Sequence, residues 1–253
     1  MIRLELREVS KSFGGTQALN GVSLSLQGNE RVGLIGPNGA GKTTMTNILA
    51  GYHKPSRGQV WFQGQRIDGL PPYVIAQRGI GRTFQVTRAF RRMTVLENLL
   101  VPAVALHPTA PQRAFHRRAM EVLEMLTMEH LADEYARSLS GGQQKLLELG
   151  RVLMLDPKLI ILDEPFAGVH PKMRETIWQF ITKVHEQGKA FIIISHEMEM
   201  IFTLSQRLLV LHWGELIADG PPDQVRVDPV VIEAYLGRDD DHETEKKEAD
   251  SGG

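Results

Sequence analysis

Eight residues, Gly36-Pro37-Asn38-Gly39-Ala40-Gly41-Lys42-Thr43, restrict the fold of this chain more than any other stretch. They satisfy the pattern G-x-x-x-x-G-K-[ST] at every fixed position, a pattern that has its meaning only between a strand and a helix. Both flanks are expected here. The apolar run 32–35 reads as a buried strand, and 44–50, opening on Thr44, reads as the first turns of a helix. Glycines let backbone amides close around phosphate oxygens without Cβ clashes. The following helix N-terminus adds unpaired N–H groups and partial positive charge. Lys42 supplies a mobile cation to the outer phosphates, and Thr43 a hydroxyl to Mg²⁺. The chemistry implied is binding of a nucleoside triphosphate.

The chain of 253 residues, 42% hydrophobic, is long enough for one substantial core with an inserted lobe. Lys and Arg number 29 against 30 acids, so no global field attracts nucleic acid or an anionic membrane. The absence of Cys excludes disulfides and thiolate metal sites. The N-terminal residues hold no long apolar stretch of the signal-peptide kind. The most apolar segment, 95–106, is interrupted by Glu97, Asn98 and Pro102 and is too short to span a bilayer. The expectation is a cytoplasmic protein that meets a membrane only through a partner.

Ile2, Leu4 and Leu6 alternate with charges, and Val22, Leu24 and Leu26 alternate with serines. Both patterns predict half-buried strands. With 59–63 they suggest an antiparallel sheet at the edge of the nucleotide core. Residues 159–162 and 190–194 are continuous apolar runs, as in central parallel strands covered on both faces. The helical pattern 174–187 between them stops at Gly188, giving a strand–helix–strand unit and an α/β fold. From about 87 to 155 the pattern is helical. Ala119, Val122, Leu123 and Leu126 fall on one face, as do Leu146, Leu147, Leu149, Val152 and Leu153. The reading is one domain, 1–237, with a mixed-sheet core (about 1–86 and 156–237) and an inserted helical lobe (about 87–155). Residues 238–253 carry seven acids and three bases and predict a disordered tail.

The apolar run 159–162 ends in Asp163-Glu164. Downstream of a phosphate loop, Asp163 is a candidate Mg²⁺ ligand and Glu164 a candidate to position or polarise a water for attack on the γ-phosphate. Leu139-Ser140-Gly141-Gly142-Gln143 opens another helix, with Ser140 as N-cap. This stretch resembles the LSGGQ signature of ABC (ATP-binding cassette) ATPases, and the remaining elements of that family follow in order over about 4–236. The resemblance implies several roles. Phe13 would stack on adenine. Gln85 would contact Mg²⁺ and couple to a partner, and His196 would contact the γ-phosphate. Ser140, Gly141, Gly142 and Gln143 would act in trans on a second ATP-binding subunit, so that the isolated chain hydrolyses ATP poorly. Two departures stand out. His170 takes the place of the usual D-loop Asp, and Glu197 follows His196 where Asp is commoner.

Arg82-Thr83-Phe84-Gln85, Phe90-Arg91-Arg92-Met93-Thr94-Val95-Leu96-Glu97-Asn98-Leu99, Glu164-Pro165-Phe166-Ala167-Gly168-Val169 and Ala234-Tyr235-Leu236-Gly237 resemble ATP-binding subunits of branched-chain amino acid importers. Urea and short-amide importers share much of this, and the Glu164–Val169 segment also resembles the lipopolysaccharide-export ATPase. The partners implied are integral membrane permeases, a second ATPase (identical or a sister) and, indirectly, a periplasmic or extracellular solute-binding protein. The location implied is the cytoplasmic face of the membrane. A soluble ABC scaffold, as in iron–sulfur cluster assembly, is the alternative of another class. Phe84, Phe90, Met93, Val95 and Leu96, edged by Arg88, Arg91 and Arg92, suggest a groove for a permease helix. Nucleic acid is not an expected partner.

Overall fold

A computed structural model describes residues 2–83, 89–106, 108–109 and 111–236. In chain order the elements are β1 (Arg3–Phe13), β2 (Thr16–Gln27), β3 (Arg31–Ile35), α1 (Lys42–Leu49), β4 (Arg57–Phe62), β5 (Gln65–Arg66), α2 (Pro72–Gln77) and β6 (Ile80–Arg82). Three longer helices follow, α3 (Val95–Leu106), α4 (Gln112–Met125) and α5 (Gly141–Leu153). The chain then forms β7 (Leu159–Asp163), α6 (Pro171–Glu186), β8 (Ala190–Ile194), α7 (Met198–Leu204), β9 (Arg207–His212), β10 (Glu215–Gly220), α8 (Pro222–Val225) and α9 (Pro229–Leu236).

The strands form two sheets. One is antiparallel, in the order β2-β1-β4-β5; the other is mixed, in the order β10-β9-β3-β8-β7-β6. In the mixed sheet β9, β3, β8, β7 and β6 run parallel, and β10 closes the edge antiparallel to β9. The reason β7 and β8 are apolar without alternation is visible in the core. Leu159, Ile161, Ala190, Ile192 and Ile194 face the cluster shared with the antiparallel sheet. Ile160, Leu162, Phe191 and Ile193 face the cluster shared with α3, α4, α5 and α6. A strand covered on both faces buries successive side chains on opposite sides.

The helical faces of α4 and α5 pack as their spacing implies, with Ala119, Val122, Leu123, Leu146, Leu147 and Leu153 at most 1% exposed. That packing also buries Lys145 and Glu148, which the apolar pattern of α5 does not mark. One residue expected to line a groove is drawn into the core instead. Val95 is fully buried in the core, where it cannot line a groove, because α3 packs across α4 and α5. Phe90 stays 45% exposed with the Arg151 guanidinium 4.8 Å from its ring centre. Phe84, Gln85 and Arg88 lie outside the described residues, as does the tail 238–253. Among the described residues, no helix is long and apolar enough to cross a membrane.

Candidate functional site

The C-terminal ends of β3, β7 and β8 open on one cavity of about 750 Å³. Its wall includes the whole loop 36–44 together with Asp163, Glu164, Ser195 and His196. A parallel sheet delivers all these groups to the same edge, which is where α/β sheets bind ligands.

Two glycines explain why the loop has its shape. Gly36 has φ +146, and a Cβ there would lie 2.1 Å from the Leu211 carbonyl oxygen of β9. Gly41 has φ +103 and is pressed against the Ala18 carbonyl of β2, where a Cβ would fall at 2.6 Å. The loop is therefore wedged between two strands that only Gly can approach this closely. Gly41 is also the N-cap of α1, so Lys42 and Thr43 open the helix, where backbone N–H groups point outward. Lys42 is folded onto its own loop, with Nζ donating to the carbonyls of Gly36 at 2.6 Å and Pro37 at 2.9 Å.

Asp163 ends β7 with its backbone N–H on the Thr83 hydroxyl at 3.1 Å and its carboxylate on Arg82 at 3.0 Å. Glu164 then adopts φ +50, a left-handed conformation that costs a non-glycine residue energy. Its N–H is tied to the Ile194 carbonyl of β8 at 2.9 Å. That twist turns the side chain toward the loop after β8, where Nδ1 of His196 donates to Glu164 Oε2 at 2.8 Å. His196 remains 70% exposed on the cavity while Glu164 is 14% exposed. The arrangement is a carboxylate held by an imidazole, facing the phosphate loop across one cavity. It can hold a water or a phosphate oxygen between the two sides.

The His196 loop is braced from α6. Arg174 donates to the Val169 carbonyl at 3.0 Å and to Glu197 at 2.6 Å. His170, the departure at the D-loop, caps α6 by accepting the Lys172 N–H on Nδ1 at 3.4 Å.

Other expected site residues lie elsewhere. Phe13 ends β1 45% exposed, edge-on to His53 and 4.9 Å from the Lys11 ammonium, outside the cavity wall. Ser140 and Gln143 form a capping box at the start of α5, with Gln143 N–H on Ser140 Oγ at 3.3 Å and Ser140 N–H on Gln143 Oε1 at 2.9 Å. With Gly141 and Gly142 they too lie outside the wall of this protomer's cavity. Gln85 lies outside the described residues.

The cavity also has a wall that the sequence did not announce. Tyr235 of α9 lines it, as do Ala18 and Met198. Burial pushes the Tyr235 phenol up to about 12, against the opposing effect of a hydrogen bond with the Gly36 backbone. The group stays neutral and can serve as donor or acceptor. Nothing in an apolar C-terminal helix marks this contact.

Asp163 and Thr43 both line the cavity and offer a carboxylate and a hydroxyl, oxygen donors of the kind that fit a hard cation such as Mg²⁺.

The sequence matches the family model described as ABC transporter over residues 19–167. It matches a second, described as branched-chain amino acid ATP-binding cassette transporter, over residues 215–241. It is 39% identical over 248 residues to the high-affinity branched-chain amino acid transport ATP-binding protein BraF of Pseudomonas aeruginosa, across 92% of this chain and 97% of that protein. The corresponding LivG protein of Escherichia coli K12 is 38% identical over 249 residues, with the same coverage. Among solved structures, the ADP conformation of MJ1267, an ATP-binding cassette of an ABC transporter, superposes with a TM-score of 0.83 at 36% identity. That match covers 94% of this chain and 99% of MJ1267. The dimeric cassette MJ0796, bound to ADP and Pi after hydrolysis, gives a TM-score of 0.78 at 29% identity, across 87% and 98% of the two chains.

Proposed function

This chain belongs to the ABC transporter family, and from that premise we propose that it is the ATP-hydrolysing subunit of an importer of branched-chain or other hydrophobic amino acids. The observation that carries the solute class is the match of residues 215–241 to the branched-chain cassette family in a chain whose residues 19–167 match the ABC transporter family. Curated relatives named for branched-chain amino acid transport, alike over nearly their whole length, support the same reading.

In the proposed cycle, the loop 36–44 receives the phosphates of ATP. Its amides and the N-terminus of α1 face them, and Lys42 leaves the Gly36 and Pro37 carbonyls for the β- and γ-phosphates. Asp163 and Thr43, with Gln85, would hold Mg²⁺, which neutralises phosphate charge when bound. Phe13 would stack on adenine. Glu164 would orient the attacking water and accept its proton, and His196, released from Glu164, would donate to the γ-phosphate. Ser140, Gly141, Gly142 and Gln143 would complete the site of a second ATP-binding subunit, so two ATPs would be enclosed between two subunits. ATP would favour the closed pair by its differential affinity for that arrangement. The proposed partners are two permeases at the cytoplasmic face of the membrane, with a solute-binding protein acting on the permeases. The core (1–86 and 156–237) would carry the nucleotide and the helical lobe (87–155) the permease contact.

The test is a pull-down of tagged Glu164→Gln from native membranes with ATP. Recovery of two permeases and a sister ATPase is the expected result. Recovery of soluble partners alone would replace the transport reading with a scaffold role and leave the ATPase chemistry standing.

A further inference from the structure

Arg82 lies outside the cavity wall, yet it touches the residue on which the metal reading depends. It ends β6, where strand pairing sets it opposite Ile161 of β7. Its side chain is 6% exposed and that of Asp163 is 10% exposed. One arm of the guanidinium, Nη2, donates to Asp163 Oδ2 at 3.0 Å. The other, Nη1, donates to Asn47 Oδ1 at 2.5 Å. Asn47 belongs to α1, one turn beyond Thr43. The next residue, Thr83, is 1% exposed and accepts the Asp163 N–H on its hydroxyl.

We infer that Arg82 is a positioning residue for the metal carboxylate, holding Asp163 at a fixed distance from the helix that carries Thr43. This rests on the reading of Asp163 and Thr43 as the Mg²⁺ ligands. Three features support it. A planar guanidinium reaches two acceptors at once in a fixed fork, which an ammonium does not. The two acceptors belong to different halves of the site, the end of β7 and the body of α1, so the fork sets their separation. Asp163 is gripped at both backbone and carboxylate, while Oδ1 takes no hydrogen bond among the described residues and stays available to a cation. Residues that orient a metal ligand from behind govern affinity for the metal without touching it.

The experiment is a Mg²⁺ titration of mant-ADP binding, read by fluorescence anisotropy, with a parallel measurement in EDTA. The variants are Arg82→Met, Arg82→Lys, Asn47→Ala and Asp163→Asn, each checked for parental circular dichroism. Arg82→Met is expected to raise the Mg²⁺ concentration for half-maximal tightening by about tenfold or more, while affinity in EDTA stays within about twofold. Arg82→Lys and Asn47→Ala each break one arm and are expected to give rises of about three- to fivefold. Should Arg82→Met not fold, these two variants carry the test.

A role confined to stitching β6 onto the sheet would leave the Mg²⁺ dependence parental, or weaken binding equally with and without metal. Either result overturns the inference. Asp163→Asn separates the levels. A parental Mg²⁺ dependence there would remove Asp163 as a ligand and take the reading itself down. A raised dependence there beside parental Arg82 variants would sink the inference alone.

Discussion

Replacing Gly36 with Ala tests whether the phosphate loop is shaped by close approach of strands or merely by flexible residues. A Cβ at Gly36 would sit 2.1 Å from the Leu211 carbonyl oxygen, where real Cβ atoms do not come within 3.0 Å. One partner must therefore retreat by about 0.9 Å, which is the difference between those two distances. Leu211 cannot supply the movement, because β9 is paired with β3 on one side and β10 on the other. The loop itself must move, and it must also abandon φ +146, a conformation that costs a non-glycine residue about 1–3 kcal/mol. Without ligand the loop relaxes. Nucleotide must then restore the parental geometry, so the strain is charged to binding. At 1.4 kcal/mol per tenfold, ADP affinity should fall by about 5- to 150-fold, with the upper end favoured because steric overlap adds to the backbone term. Gly39→Ala is the control. Its φ is +82, but nothing lies within 4 Å of a Cβ there, leaving a backbone cost of about 1–2 kcal/mol and no overlap. Isothermal titration with ADP and Mg²⁺ reads both. Gly36→Ala binding within twofold of the parent, or a Gly39→Ala loss as large as that of Gly36→Ala, would refute the wedge argument.

Other perturbations address the remaining groups. Lys42→Ala should largely abolish ATP binding, as followed by equilibrium dialysis, and parental affinity would contradict the phosphate role of the loop. Glu164→Gln should retain ATP, hydrolyse about 10²- to 10⁴-fold more slowly, and run as a dimer on gel filtration with ATP. Normal turnover would strip Glu164 of its assigned part. His170→Asp places a stronger acceptor at the α6 N-cap and should stabilise the protein to chemical denaturation by about 0.5–1 kcal/mol. A loss of stability would mean that the imidazole does more than cap. Removing residues 238–253 should leave the melting temperature unchanged, since a segment of seven acids and three bases with Ala249 as its sole aliphatic side chain has little apolar surface to bury. A drop of several degrees would show that the tail packs on the core.

Much of the fold was legible because its central strands are covered on both faces. Runs such as 159–162 and 190–194 then need no periodicity to be recognised, and 32–35 is fixed by the loop that follows it. The antiparallel sheet was read from alternation at Leu4, Leu6, Val22, Leu24 and Leu26, all of which are buried. The three-residue strand β6 was not legible, because Ile-Gly-Arg is too short to carry a period. Nor was the Arg82–Asp163 pair, whose members are joined only by the parallel pairing of β6 with β7. At the site, loop 36–44, Asp163 and Glu164 follow from local motifs and His196 from the family resemblance, and the sheet brings them to one cavity. Tyr235 escaped because its contact with Gly36 comes from α9, in the last described turn of the chain. Phe13 shows the limit of spacing. It ends β1 at the expected position, yet within one protomer it meets His53 and Lys11 and does not face the cavity.

The site residues divide between two surfaces of one protomer, and that division bears on mechanism. Loop 36–44, Asp163, Glu164 and His196 share a cavity, whereas Ser140 and Gly141 stand exposed at the head of α5, outside its wall. If both sets act on one nucleotide, as proposed, one protomer cannot supply them. A two-fold pairing supplies both sets twice, because an isologous contact that brings one α5 to the partner's cavity brings the partner's α5 to the first. Two sites made in this way need a route by which each senses the other. Arg174 offers one, because it holds Val169 with one nitrogen and Glu197 with another. A displacement of the D-loop by a partner would pull on Arg174, and through Glu197 on the residue next to His196. His170 sits on that route as the α6 cap, accepting the Lys172 N–H on Nδ1. Replacing Arg174 with Met cuts both bonds, so communication between the paired sites should weaken in that variant. Cooperativity of ATP hydrolysis, measured as the Hill coefficient, reads the loss. A parental coefficient would remove Arg174 from the route.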